Sequence, residues 1–149
     1  MRVSQRVTYG IMAAVDLAMH VRQDVPVQAR LIARHQGIPI RFLEQVLHSM
    51  KKAGLVESIR GAQGGYRLSR KPADLSVADI MEALDGPVFH QSFYGSGSAS
   101  GATGADRLLG HVWDEVQRAE RNVLEKITID QLAARQQAIE EQRNPMYHI

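Results

Sequence analysis

The 149-residue sequence contains no cysteine. That absence excludes disulfides, thiolate zinc sites, a cysteine nucleophile and any iron–sulfur cluster held by cysteines of this chain. Long apolar runs are missing too, since none approaches the roughly 18 residues of a membrane helix. The opening Met1-Arg2-Val3-Ser4 leads into a mixed amphipathic stretch, without the apolar core and small-residue cleavage site of a secretory signal. A cytoplasmic protein with no membrane association is therefore the expectation. No Ser-His-Asp or paired-carboxylate arrangement is readable, so an enzyme is not expected. What is present is ordinary for a globular chain: 44% hydrophobic and 23% charged residues, which exclude wholesale disorder. The length fits one domain, or a small domain with an appendage.

Charge is unevenly placed. Residues 1–71 hold twelve Lys or Arg against four acids, and residues 72–149 hold six against twelve. A net +8 half is thus joined to a net −6 half. The basic charges are spread over several elements rather than clustered beside an apolar face, which favours nucleic acid over a membrane surface as the polyanion partner.

Periodicity divides the chain into helices and one hairpin. Val7, Ile11, Ala14, Val15 and Ala18 share a face of a helix over 4–22. A short helix follows over 28–36, with Leu31 and Ile32 inward and Gly37 closing it. Pro39 suits the first turn of a third helix running to about Ala53, where Leu43, Val46, Leu47 and Met50 form the apolar stripe and Gly54 is the stop. Leu55–Ile59 and Tyr66–Ser69 read as strands around the Gly-rich loop Arg60-Gly61-Ala62-Gln63-Gly64-Gly65. Ser76 with Asp79 predicts a capped helix to about Leu84, broken by Asp85-Gly86-Pro87. Residues 92–105 carry four Gly, four Ser and one Thr without a charge, the composition of a flexible loop. A long helix is expected from about Asp106, with Leu109, Val112, Trp113, Val116, Val123 and Ile127 as an apolar stripe suited to dimerisation. Thr128 with Gln131 caps a last helix over about 129–142, and Asn144-Pro145 ends it. The expected organisation is a head over 1–86, a Gly/Ser-rich loop over 87–105, two helices over 106–143 and a tail over 144–149.

Three short helices followed by a two-strand hairpin is the order of a winged helix-turn-helix, a mostly helical fold with a small β wing. The third helix then offers Arg41, Gln45, His48, Lys51 and Lys52 on the face opposite its apolar stripe. Arg41 and Gln45 lie one turn apart. Arginine suits guanine O6 and N7, and glutamine suits adenine N6 and N7; Lys51 and Lys52 suit phosphates. Arg60 at a narrow glycine-rich tip suits a minor groove, and Arg67 and Arg70 extend the basic strip. A glycine-rich hairpin or a basic helix face alone is commonplace. Their succession inside one basic half is what points to double-stranded DNA. The loop lacks the Gly-Lys-Ser/Thr ending of a phosphate-binding nucleotide loop.

Ser4 through Tyr9-Gly10, Phe42-Leu43-Glu44-Gln45, Lys52-Ala53-Gly54-Leu55-Val56 and Arg60-Gly61-Ala62-Gln63-Gly64-Gly65-Tyr66 resemble the Rrf-two (Rrf2) family of bacterial winged-helix transcription regulators, which includes the iron–sulfur cluster regulator. The resemblance is strongest over 1–86. It implies a homodimer on a pseudo-palindromic operator, a long dimerisation helix, and a following helix that packs near the partner's head. It places Arg41, Phe42, Glu44, Gln45 and Arg60 at the family's DNA-reading positions. The full set expected at DNA is Arg2, Ser4, Arg41, Phe42, Glu44, Gln45, His48, Lys51, Lys52, Arg60, Gly61, Gln63, Gly64, Gly65, Tyr66 and Arg67. Many members hold a cluster through three cysteines before the long helix. Here Ser92 and Ser98 stand six apart and Gly104 takes the third position. Serine hydroxyls are poor ligands for such centres, so no cluster and no other cofactor is expected.

The leading expectation is a homodimeric DNA-binding repressor. Two alternatives stay open: a cluster-free regulator working through an effector protein or small molecule, and an iron–sulfur sensor whose cysteines were replaced. His111 and Glu115 have an i, i+4 spacing that can hold a metal, with His90 and Asp114 nearby, but a solvated helix face is the plainer reading. Phe89, Phe93 and Tyr94 are expected to pack on the long helix rather than line an effector pocket. The 92–105 loop is where a signal would act, because it joins the head to the dimer helix.

Overall fold

The computed structural model describes residues 2–86 and 103–144. The elements are α1 (Gln5–Met19), α2 (Ala29–Gln36), α3 (Ile40–Lys52), β1 (Val56–Ile59), β2 (Gly65–Leu68), α4 (Val77–Asp85), α5 (Gly104–Lys126) and α6 (Ile129–Arg143). Single turns of 3-10 helix lie at Val21–Gln23 and Pro72–Asp74. This is the winged helix-turn-helix arrangement that the element order predicts. Phe89, His90, Ser92, Phe93, Tyr94 and Ser98 lie outside the described residues, as do most of the 92–105 segment and residues 145–149.

Helix α1 is the centre of the head, with α2, α3, α4, β2 and α6 all packed against it. It can accept so many neighbours because its inner side is built from small residues. Gly10, Ala13 and Ala14 are buried together with Val7, Val15 and Leu17. A Cβ on Gly10 would stand 2.4 Å from Leu84 Cδ1 and 3.1 Å from Ile80 Cγ2, so α4 sits directly on the glycine. Ile32, Leu43, Leu47, Met50, Leu75 and Ile80 complete the core, joined from the far end of the chain by Ile129. Each such fully buried side chain stabilises the fold by roughly 1.5–3 kcal/mol. Two main-chain bonds seat Ile129: its N–H donates to Leu75 O at 2.8 Å, and Val77 N–H donates to Ile127 O at 2.9 Å. Helix α6 then packs along α1 of the same chain.

The helix ends follow their capping chemistry. Ser76 and Asp79 form the predicted capping box, and Thr128 and Gln131 form the second. A third, Thr103 with Asp106, starts α5 at Gly104, two residues before the expected Asp106. Thr103 donates to Asp106 Oδ2 from its hydroxyl at 2.7 Å and from its backbone at 2.9 Å. These bonds hold the Asp106 carboxyl below its ordinary range. At the end of α3, Leu55 N–H donates to Met50 O at 2.9 Å and Gly54 N–H to Lys51 O at 3.0 Å. This paired closure needs a residue at positive φ, and Gly54 supplies 76°. Pro39 stands just before α3 as its N-cap rather than inside the first turn. Its φ is fixed, but its ψ of 128° remains extended.

One core expectation is wrong. Ile32 is fully buried, whereas its neighbour Leu31 is 38% exposed. Adjacent helical positions are about 100° apart, so a short helix packed on one side buries only one of the pair.

The wing is a two-stranded antiparallel hairpin in which Val56 pairs with Leu68 and Ile59 with Gly65. It is tied down by Val27, whose N–H and C=O both bond the Tyr66 backbone at 2.8 Å. That bridge explains Gly65, which has φ 152° and whose Cβ would stand 2.5 Å from the Val27 carbonyl. Gly65→Ala is expected to lower unfolding free energy by about 2 kcal/mol or more, through backbone strain and collision. Chemical denaturation measures this, and an unchanged midpoint would contradict the bridge as the reason for the glycine.

Candidate DNA-binding interface

Helix α3 is divided lengthwise. Leu43, Val46, Leu47 and Met50 are buried, while Arg41, Glu44, Gln45, His48, Lys51 and Lys52 are exposed. The polar face carries three cations against the single acid Glu44. It is free because the inner face is satisfied by α1, α2, α4 and β1. At the other end of the interface the wing tip exposes Arg60, Gly61, Ala62 and Gln63. Gly61 turns the tip at φ 113°, and its carbonyl accepts the Gly64 N–H at 3.0 Å.

Several residues expected at DNA are placed in structural roles. Ser4 caps α1: its Oγ accepts from Val7 N–H at 3.2 Å and donates to Asp85 Oδ1 at 3.0 Å. Phe42 is half-buried, edge-on to Tyr9 with ring centroids 5.3 Å apart. Gly64 is buried inside the turn, where a Cβ would meet Ile59 O at 2.1 Å. Gly65 and the backbone of Tyr66 belong to the Val27 bridge, and the half-buried Tyr66 lines a cavity of about 340 Å³ on the other side of the hairpin. Arg67 is ion-paired with Glu57 directly across the strands. Arg70 lies 3.9 Å from Asp79. Lys51 Nζ donates to Ser58 Oγ at 2.7 Å, fastening the end of α3 to β1. The expected basic strip along the hairpin is therefore largely matched by acids and hydroxyls. All of these pairs are surface pairs, of small energetic weight. Arg2 is exposed ahead of α1.

Three cations go unnoticed in a reading by element type alone. Arg30 and Arg34, one turn apart on α2, line a groove of about 500 Å³ with Gln28, Leu31 and the wing-tip residues Gln63 and Gly64. The i, i+4 spacing of the two arginines was the available signal. Arg6 on α1 reaches Ser49 on α3, with Nη2 donating to Oγ at 3.1 Å.

On α5, Leu109, Val112, Trp113, Val116 and Val123 are 43–58% exposed. A flanking face, through Gly110 and Leu124, turns toward the chain's own head. Ile127, expected in the exposed stripe, packs on the core instead, because the chain leaves the helix there to form the bond to Val77. Leu108 is a further exposed apolar residue, at 66%. His111 is exposed and Asp114 half-buried. Among the described residues neither belongs to a group of three metal-competent side chains.

The comparisons with known proteins agree with this architecture. Residues 3–135 match the model of the family described as "Rrf2: Iron-dependent Transcriptional regulator". The chain belongs to the Rrf2 family. The HTH-type transcriptional regulator IscR of Aliivibrio salmonicida is 34% identical over 133 residues, covering 89% of this chain and 77% of that one. The Vibrio cholerae protein of the same name is 33% identical over 141 residues, covering 94% and 79%. Among solved structures, CymR (YrzC), the global cysteine regulator of B. subtilis, superposes with a TM-score of 0.74 at 29% identity, covering 90% of this chain and 97% of that one. T. potens IscR gives 0.70 at 36% identity, covering 89% and 85%. These relatives are transcriptional regulators, not enzymes. The family description names iron, but a cysteine-ligated cluster does not fit this chain: the sequence offers no thiolate anywhere, and Ser92 and Ser98 carry the wrong donor for such a centre.

The position of Ser4 generates a direct test. Ser4→Ala removes a helix cap and is expected to lower stability by about 1 kcal/mol. Urea denaturation measures that loss, and duplex DNA affinity well below the melting temperature should stay within about twofold. A large affinity loss at unchanged stability would instead make Ser4 a DNA contact.

Proposed function

We propose that this regulator acts as a homodimer that reads a pseudo-palindromic stretch of double-stranded DNA and represses by occupying it. The observation that carries the reading is the polar face of α3, held outward by a satisfied apolar face and flanked by an exposed arginine at the wing tip. In this reading α3 enters the major groove, with Arg41 and Gln45 at base edges and Glu44 and His48 beside them. Lys52, Arg30, Arg34 and Arg2 meet phosphates. Arg60 enters the adjacent minor groove, where a narrow duplex focuses negative potential.

The dimer half of the proposal rests on α5. A 23-residue helix that exposes Leu109, Val112, Trp113, Val116 and Val123 has an apolar face without a partner among the described residues. A second copy of the same helix supplies a self-complementary partner. Two heads related by a two-fold axis then match a two-fold operator. Such DNA is in the cytoplasm of a bacterial cell, and no described helix is long and apolar enough to cross a membrane.

Gel-shift titrations against genomic fragments selected by the protein test this. Arg41→Ala or Gln45→Ala should relax preference at one base pair, with a loss of about 1–3 kcal/mol on the best site. Lys52→Ala should weaken all sequences alike and flatten the salt dependence by about one unit of log–log slope. Val116→Glu should yield monomers and lose operator binding. Unchanged binding by an Arg41→Ala, Arg60→Ala double variant would overturn the proposed docking.

A further inference from the structure

Asp16 is the one charged side chain that is fully buried among the described residues, at 2% exposure. A carboxylate removed from water needs partners, and here they are two histidines from different elements. His35, on α2, places Nδ1 3.1 Å from Asp16 Oδ2 and 3.2 Å from Oδ1. His20, just past the end of α1, places Nδ1 3.3 Å from Asp16 Oδ1 and donates to the Asp16 carbonyl at 2.7 Å. The two rings are stacked nearly parallel, 5.8 Å apart between centroids. One ligand atom from each of the three residues lies within 4.8 Å of the others.

We propose that Asp16, His20 and His35 form a binding site for a divalent transition-metal ion of the zinc class, joining α1 to the first helix of the helix-turn-helix. Two imidazole nitrogens and one carboxylate oxygen are a borderline donor set that suits such ions and disfavours magnesium and calcium. The spacing is close to what an ion needs. An ion held at about 2.0–2.2 Å in tetrahedral geometry sets its ligands about 3.3–3.5 Å apart; Asp16 Oδ1 stands 3.3 Å from His20 Nδ1 and 3.2 Å from His35 Nδ1, with all three ligand atoms within 4.8 Å of one another. Binding replaces the Nδ1–H bonds to Asp16 by Nδ1–metal bonds. Each neutral ring moves its proton to Nε2, so no proton is lost or gained. The Asp16 charge is then compensated by the ion. His20 and His35 are 26% and 37% exposed at the side chain, which leaves a fourth position open to water. The site uses none of the segment before α5, and it fixes the seat of α2 rather than α5.

The test is a Co2+ titration of the untagged full-length chain, followed by Zn2+ displacement, read by visible absorption and by metal content after gel filtration. One Co2+ per chain in a low-coordinate site, displaced by Zn2+, is the expected result. His35→Gln and His20→Gln should each weaken binding at least tenfold, whereas His111→Gln should not change it. Both ring variants replace partly exposed side chains, and circular dichroism checks that they fold. No Co2+ or Zn2+ binding by the wild-type chain would overturn the proposal and leave the triad a purely structural network. Binding that survives in His35→Gln and His20→Gln would overturn it equally.

Discussion

The thinness of one helix governs the head. Helix α1 brings Gly10, Ala13 and Ala14 to its inner side, and every other helix of the head comes to rest against it. With a larger side chain at position 10, Leu84 and Ile80 of α4 would have to withdraw. Met50 of α3 is 3.6 Å from the same point, so α3 rests on the same small-residue seat. Close packing at this seat turns the apolar stripe of α3 inward and leaves Arg41, Gln45 and Lys52 in solvent. Small residues on α1 thus decide what a helix two elements later shows to its surroundings.

The elements with strong local signals were readable without a structure. Apolar spacing defined α1, α3 and α5, the Ser76 and Thr128 boxes marked two helix starts, and the glycines marked the stops. What stayed hidden depends on partners distant in sequence. Nothing local says that Val27 bridges Tyr66, and therefore that Gly65 admits a close backbone approach. Leu31 and Ile32 are equally apolar, and only packing on one side separates them. Charge counting finds Arg67 and Lys51 but cannot see that Glu57 and Ser58 stand opposite. The Thr103–Asp106 box was masked by the glycine and serine around it, which read as loop. Ile127 keeps the helical period of its stripe, but a main-chain bond to Val77 draws it into the head. The polar face of α3 was legible because it is the complement of a clear apolar stripe. The groove lined by Arg30 and Arg34 was not, because it exists only once α2 and the wing are side by side.

The two oppositely charged halves acquire a physical meaning in this arrangement. The basic half builds the head that faces the proposed DNA, and most of the acidic charge lies on the described helices α4, α5 and α6. In the proposed complex, like charge is kept off the duplex, and the exposed apolar strip of α5 faces a second copy. The Asp16 triad is the exception to this sorting, a buried acid in the basic half held by two imidazoles. It ties α2 to α1 at the point from which α3 takes its direction.

The mass of the complex formed with a selected duplex, followed by sedimentation as salt is raised, bears most directly on the central claim of a paired, positively charged reader. The account predicts two chains per duplex at low salt and a complex that dissociates steeply as the ions compete for phosphate. A single chain per duplex, or no complex with double-stranded DNA in dilute buffer, would contradict it.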